Sequence, residues 1–150
     1  MKYLSFLMLA CMLMTLAACR TAQQQIDYEE ELITQYIADK GLQNVQKTES
    51  GLRYILDPEG TGTRPDAFSN VEVKYKGTLL DGTVFDENTS GITFNLASVI
   101  VGWTEGIPKF KEGGKGTLII PSRLGYGSTK TGKIPKNSVL VFDIQLIDVK

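Results

Sequence analysis

"VEVKYKGTLLDGTVFD", Val71 to Asp86, is the stretch on which the fold turns. Its first nine residues alternate. Val71, Val73, Tyr75, Gly77 and Leu79 share one side, and Glu72, Lys74, Lys76 and Thr78 share the other. Successive side chains of a strand point to opposite faces, so this is a strand with one face on a core and one in water. Asp81-Gly82 then supplies a hairpin turn, and Val84-Phe85-Asp86 begins the return.

Further strands lie outward from this hairpin. "VLVFDIQLI", Val139 to Ile147, alternates with Leu140, Phe142, Ile144 and Leu146 on its more apolar face. "LRYILD" from Leu52 and "KGTLII" from Lys115 read as two more strands, while 87–93 and 122–138 read as long loops rich in Gly, Ser, Thr and Lys. Within this strand-rich part a single short helix is expected, around Trp103 in "VIVGWTEGI", with Pro108 ending or kinking it. Several antiparallel strands with one short helix make an α+β domain. The helix covers the apolar face of a twisted sheet, and Trp103 is the obvious piece of the contact.

The N-terminal stretch carries a different message. "MKYLSFLMLACMLMTLAAC" runs from a basic residue through an apolar segment to small residues, the order of a secretory signal peptide. "LAAC" is similar to a bacterial lipobox, which makes 1–18 the leader and Cys19 the lipidated mature N-terminus. A lone acyl chain binds membranes weakly and stable anchoring takes more than one; lipoprotein modification supplies them. The expected location is the cell envelope, on a membrane. Residues 19–25 read as a polar tether, and 26–47 as a helical extension in which Ile26, Ile33, Ile37 and the pair Leu32/Tyr36 form a stripe. Asp27 and Glu30 have capping-box spacing, and the acidic run Asp27, Glu29, Glu30, Glu31 reads as a solvated face. A helix this short needs a surface to dock on.

What is missing narrows the chemistry. There is no histidine, which excludes a Ser-His-Asp triad and the usual His-containing zinc sites. Both cysteines lie in the leader segment, so no cysteine nucleophile remains after Cys19. "GSTKTGKI" from Gly127 has Walker A spacing through Lys133, but Ile134 and Pro135 stand where a Ser or Thr and a helix are required. A net charge of −1 argues against nucleic-acid binding. No metal or cofactor is expected.

"YKGTLLDGTVFD", "VIVGWTEGI", "IPSRLGYG" and "IPKNSVLVFDIQLIDVK" together resemble the peptidyl-prolyl cis-trans isomerases of the FK506-binding-protein (FKBP) family. The resemblance covers 48–150, with four motifs in the family's order. It implies a five- to six-stranded antiparallel sheet wrapped around one short helix, with an apolar pocket between them that takes a proline ring. Trp103 is then the pocket floor. Tyr75, Phe85, Phe94, Tyr126 and Phe142 are its aromatic walls, Val99, Ile100 and Ile134 line its sides, and Asp86 stands at the rim. The Tyr126 hydroxyl and the Ile100 N–H would bond substrate carbonyls. By alternation alone, Tyr75 and Phe142 read as plain core rather than as pocket walls.

The implied activity is X–Pro isomerisation in exported polypeptides, without cofactor or covalent intermediate. Two departures bear on it. The segment from Asp86 to Phe94 is short and has no arginine to pair with Asp86, and Lys133 stands where many members carry an apolar residue. These changes imply weak binding of FK506. They also keep open a non-catalytic peptide-binding or chaperone lipoprotein using the same pocket.

Overall fold

A computed structural model describes the backbone of residues 2–150 and the side chains from Thr21 onward. The Cys19 anchor and the side chains of the 1–18 leader lie outside the described residues. Helix α1 (Lys2–Asp39) precedes strands β1 (Gln46–Lys47), β2 (Arg53–Leu56), β3 (Asn70–Leu79) and β4 (Val84–Asn95). Helix α2 (Val101–Gly106) and strands β5 (Lys115–Ile120) and β6 (Leu140–Val149) follow. The strands form one antiparallel six-stranded sheet in the order β1-β2-β5-β6-β3-β4. This is the α+β architecture expected, and β3 is an interior strand, paired along nearly its whole length with β6 on one side and β4 on the other.

The alternation of β3 and β6 sorts the two faces as read. Val71 and Val73, with Leu140, Phe142, Ile144 and Leu146, are buried on the front face against Trp103, Ile107, Phe110 and Leu118. Gly102 and Gly106 let α2 lie close on β5. A Cβ at Gly102 would stand 2.4 Å from Ile120 Cγ2, and one at Gly106 would stand 2.6 Å from Leu118 Cδ1. The helix stops at Gly106 and passes into a 3-10 turn at Ile107–Lys109, where Pro108 has no N–H to continue the α-helical ladder.

The back face is closed in part by α1. Ile33 is fully buried against Ile119, Val139 and Val141, with Tyr36 and Ile37 packed alongside. Burying one such side chain contributes about 1.5–3 kcal/mol. A larger concavity of about 770 Å³ lies further along this face, and charged residues Lys74, Lys76, Glu87 and Asp143 are among those lining it.

Four local readings change. Residues 87–93 are strand rather than loop: they belong to β4, whose backbone pairs with β3 across two register shifts. Asn88 accommodates the irregularity by accepting the N–H groups of Ser90 and Gly91, the latter at φ 102°. The 20–25 segment is helical and continuous with α1, so Asp27 is inside the helix rather than at a cap and accepts from Gln23 one turn earlier. Gln46–Lys47, read as part of the helical extension, pairs with β2. Glu29, read as solvated, is buried. No described helix is long and apolar enough to cross a membrane.

Candidate active site

Trp103 sits in a box of aromatic rings built by three elements. Strand β3 contributes Tyr75, β4 contributes Phe94 and β6 contributes Phe142. Their ring centroids lie 5.1, 5.4 and 5.2 Å from Trp103, at interplanar angles of 82°, 83° and 76°. Edge-to-face packing of this kind is the preferred arrangement of ring quadrupoles and adds about 0.5–1.5 kcal/mol per pair beyond burial. Trp103 is 4% exposed, and its Nε1–H has no hydrogen-bond partner among the described residues. The box therefore encloses a polar donor within an otherwise apolar surface.

Above the indole is a cavity of about 430 Å³, within the range of small-ligand pockets. Eight residues singled out in the sequence line it: Tyr75, Asp86, Phe94, Val99, Ile100, Trp103, Tyr126 and Phe142. Two others do not. Phe85 is only partly buried and stands edge-on to Phe142 at 5.4 Å, outside the cavity lining, and Ile134 is buried in the front core. Ser98 lines the cavity without having been foreseen. Gly77 was also missed. A Cβ there would come within 2.5 Å of Phe85 Cε2 and 2.9 Å of Phe142 Cε1, so the glycine makes room for the Phe85–Phe142 ring pair. A glycine interrupting an apolar strand face was the available signal.

Asp86 has a partner even without an arginine. Its Oδ2 accepts the Tyr75 hydroxyl at 2.7 Å. Burial, followed by this hydrogen bond and the Asp86 charge, pushes the Tyr75 hydroxyl well above its ordinary value of 10. Tyr75 consequently remains a protonated donor throughout the physiological range and fixes the carboxylate at the rim. Opposite, Tyr126 is exposed. Lys133 lies outside the cavity lining and reaches toward the Val84 carbonyl at 3.4 Å. The site contains rings, one carboxylate and hydroxyls. Among the described residues no cluster of His, Cys, Asp or Glu could hold a metal ion.

An antiparallel sheet wrapped on a short helix, with an aromatic pocket lined by Trp103 between them, is the arrangement the sequence resemblance implies. The family model for FKBP-type peptidyl-prolyl cis-trans isomerase matches residues 62–147, and the chain belongs to that family. It is similar to FKBP-type peptidyl-prolyl cis-trans isomerase FkpA of Escherichia coli strain K12, at 44% identity over 124 residues covering 81% of this chain and 45% of that protein. Similarity to the FkpA of Buchnera aphidicola subsp. Schizaphis graminum is 47% over 113 residues, covering 73% of this chain and 45% of that protein. The crystal structure of FkpA from Escherichia coli superposes with a TM-score of 0.75 at 38% identity, covering 89% of this chain and 64% of that one. A peptidyl-prolyl cis-trans isomerase from Pseudomonas syringae superposes with a TM-score of 0.72 at 38% identity, covering 80% of this chain and 91% of that one. The chain thus spans under half the length of these two curated relatives.

Proposed function

We propose that this protein accelerates cis–trans isomerisation of X–Pro bonds by seating the proline ring on Trp103, within the walls of Tyr75, Phe94 and Phe142. The observation that carries this reading is the aromatic box around an open cavity of about 430 Å³. Resonance gives the amide C–N bond partial double-bond character and a rotation barrier of about 18–20 kcal/mol. A planar amide is more charge-separated than a twisted one, so replacing water with apolar walls disfavours the planar state more. A 10⁵-fold acceleration corresponds to about 7 kcal/mol. Hydrogen bonds to the bent prolyl segment, from the Tyr126 hydroxyl and the Ile100 N–H, supply what desolvation does not. Only X–Pro bonds have a substantial cis population, so proline is the natural substrate.

In the same reading Asp86, held by Tyr75, places negative charge at the rim, while Val99 and Ile100 line one side of the cavity. Phe85, edge-on to Phe142, and Ile134, in the front core, support the walls. FK506 binds this pocket weakly. The chain is made with a leader over 1–18, is lipidated on Cys19, and serves exported, proline-containing polypeptides at the envelope. Residues 19–25 and 26–47 join the anchor to the isomerase domain at 48–150. Membrane release and loss of lipid mass on Cys19→Ser would support the anchor, and an unchanged distribution would overturn it.

The catalytic reading is tested by the protease-free cis-to-trans rate of an X–Pro–Phe peptide, with wild type beside Phe94→Ala and Phe85→Ala. Acceleration that Phe94→Ala largely removes, and Phe85→Ala reduces less, is the expected result. A folded protein that accelerates nothing leaves the peptide-binding module. Acceleration untouched by Phe94→Ala puts the chemistry elsewhere.

A further inference from the structure

Glu29, Arg53 and Ser122 are buried polar or charged side chains where α1 joins the domain: Glu29 contacts Ser122, and Arg53 pairs with the neighbouring Glu30 of α1. Glu29 is 2% exposed. Its Oε2 accepts the Ser122 N–H at 2.8 Å, its Oε1 accepts the Ser122 Oγ–H at 2.6 Å, and Oε1 also accepts from Gln25 Nε2 at 2.8 Å. No cationic side chain pairs with it among the described residues. Burying a carboxylate without a counter-charge is costly, and an aliphatic side chain beside Ile33 would dock the helix with less penalty. Helix docking alone does not account for this acid.

What it holds is the turn that carries Tyr126. Ser122 opens the 3-10 turn Ser122–Leu124, so its N–H has no partner within that turn. The Ser122 carbonyl then accepts two N–H groups, from Gly125 at 2.9 Å and from Gly127 at 2.8 Å, one on each side of Tyr126. The Gly-Tyr-Gly sequence is conformationally permissive. Tyr126 is exposed and takes no part in the ring contacts that fix Tyr75, Phe94 and Phe142. The direction of its hydroxyl therefore depends on its backbone, which Ser122 holds from the N-terminal side while Thr129 and Asn137 donate to the Tyr126 and Gly127 carbonyls. On the other side of the turn, Arg123 donates to the Ser50 carbonyl, and the Ser50 hydroxyl donates to Glu105 of α2 at 2.7 Å.

We propose that Glu29 is a positioning residue: from α1, and through Ser122, it sets the place of the Tyr126 hydroxyl over the cavity. This rests on the reading of Tyr126 as a hydrogen-bond donor to the prolyl peptide, and it makes the N-terminal helix part of the binding machinery.

The test uses Glu29→Ala, Glu29→Gln and Ile33→Ala in the whole chain, with two readouts. The first needs no substrate: amide hydrogen exchange at Gly125 and Gly127. Glu29→Ala is expected to speed it by about tenfold, Glu29→Gln to restore it because the amide oxygen still accepts, and Ile33→Ala to leave it unchanged while lowering Tm. The second is the KM and kcat of the X–Pro–Phe peptide. Glu29→Ala is expected to raise KM about fivefold with kcat nearly kept, and to add less than about twofold in a Tyr126→Phe background. Unchanged exchange at Gly125 and Gly127 in a destabilised Glu29→Ala protein overturns the proposal, since the acid is then merely structural. A KM effect fully additive with Tyr126→Phe overturns it as well. If wild type neither binds nor turns over the peptide, the proposed function fails, and the exchange readout still decides whether Glu29 holds the turn.

Discussion

The two faces of the one sheet solve different problems with different side chains. The front face packs rings edge-to-face around Trp103 and leaves a cavity open above them. The back face packs Ile33 of α1 against Ile119, Val139 and Val141 and leaves Ile33 no exposure at all. Rings have few rotatable bonds and broad flat surfaces, so they can wall a pocket without collapsing into it. Branched aliphatic side chains interdigitate, which suits a junction that has only to hold. The difference separates recognition from attachment, and the Glu29–Ser122 contact links the helix to the turn that carries Tyr126.

The comparison is broken most severely at Trp103. Trp103→Ala removes the ring that three walls share, so a stability loss of about 3–5 kcal/mol in urea unfolding is expected, together with loss of peptide binding by calorimetry. Ile33→Ala, on the other face, should cost about 2–5 kcal/mol and leave the isomerisation rate per folded molecule unchanged. A rate that falls in step with stability would show that the faces are not separable. Gly77→Ala sharpens the front face alone. The added methyl meets Phe85 and Phe142 at under 3 Å, so a loss of about 1–3 kcal/mol and a slower rate are expected together.

The smallest effect is on pH. The Lys47 hydrogen bond, aided by the Arg53 charge, holds the Glu30 carboxyl below its ordinary value of 4.5. A carboxyl with a depressed folded-state pKa stabilises the folded protein above its unfolded value and loses that contribution as pH falls. Acid should therefore weaken the attachment of α1 below about pH 4.5, and Glu30→Gln should flatten that part of a Tm-against-pH curve. Because Glu30 is substantially exposed, the slope is expected to be shallow.

The interior strands β3 and β6 were legible because one face of each is buried, and burial on one face writes a period of two into the sequence. Strand β4 carries no such record. It is an edge strand, largely exposed between Asp86 and Thr93, and its Asn, Thr, Ser and Gly residues are held by backbone pairing and an Asn88 turn. A segment under no burial constraint reads as a loop. The polar 20–25 run was misread for a related reason: helix continuity there comes from the elongation of α1 and leaves no apolar stripe. Glu29 looked like one more acid on a charged face, because the residue that explains it, Ser122, lies 93 positions away. At the site, Tyr75 and Phe142 were legible as buried and Trp103 as a contact, but only the family motifs marked the walls of a pocket. They also placed Phe85 in the wall; its ring stands edge-on to Phe142, outside the cavity lining, in room that Gly77 leaves.

The most direct test uses the single tryptophan as its own reporter. Titrating a proline-containing peptide into isotope-labelled protein should shift the Trp103 indole N–H signal together with the amides of Ile100 and Tyr126. Ile33, Ile119 and Val141 should stay still. Shifts confined to the back face, with the indole signal unmoved, would contradict the assignment of the aromatic box as the place where proline is recognised.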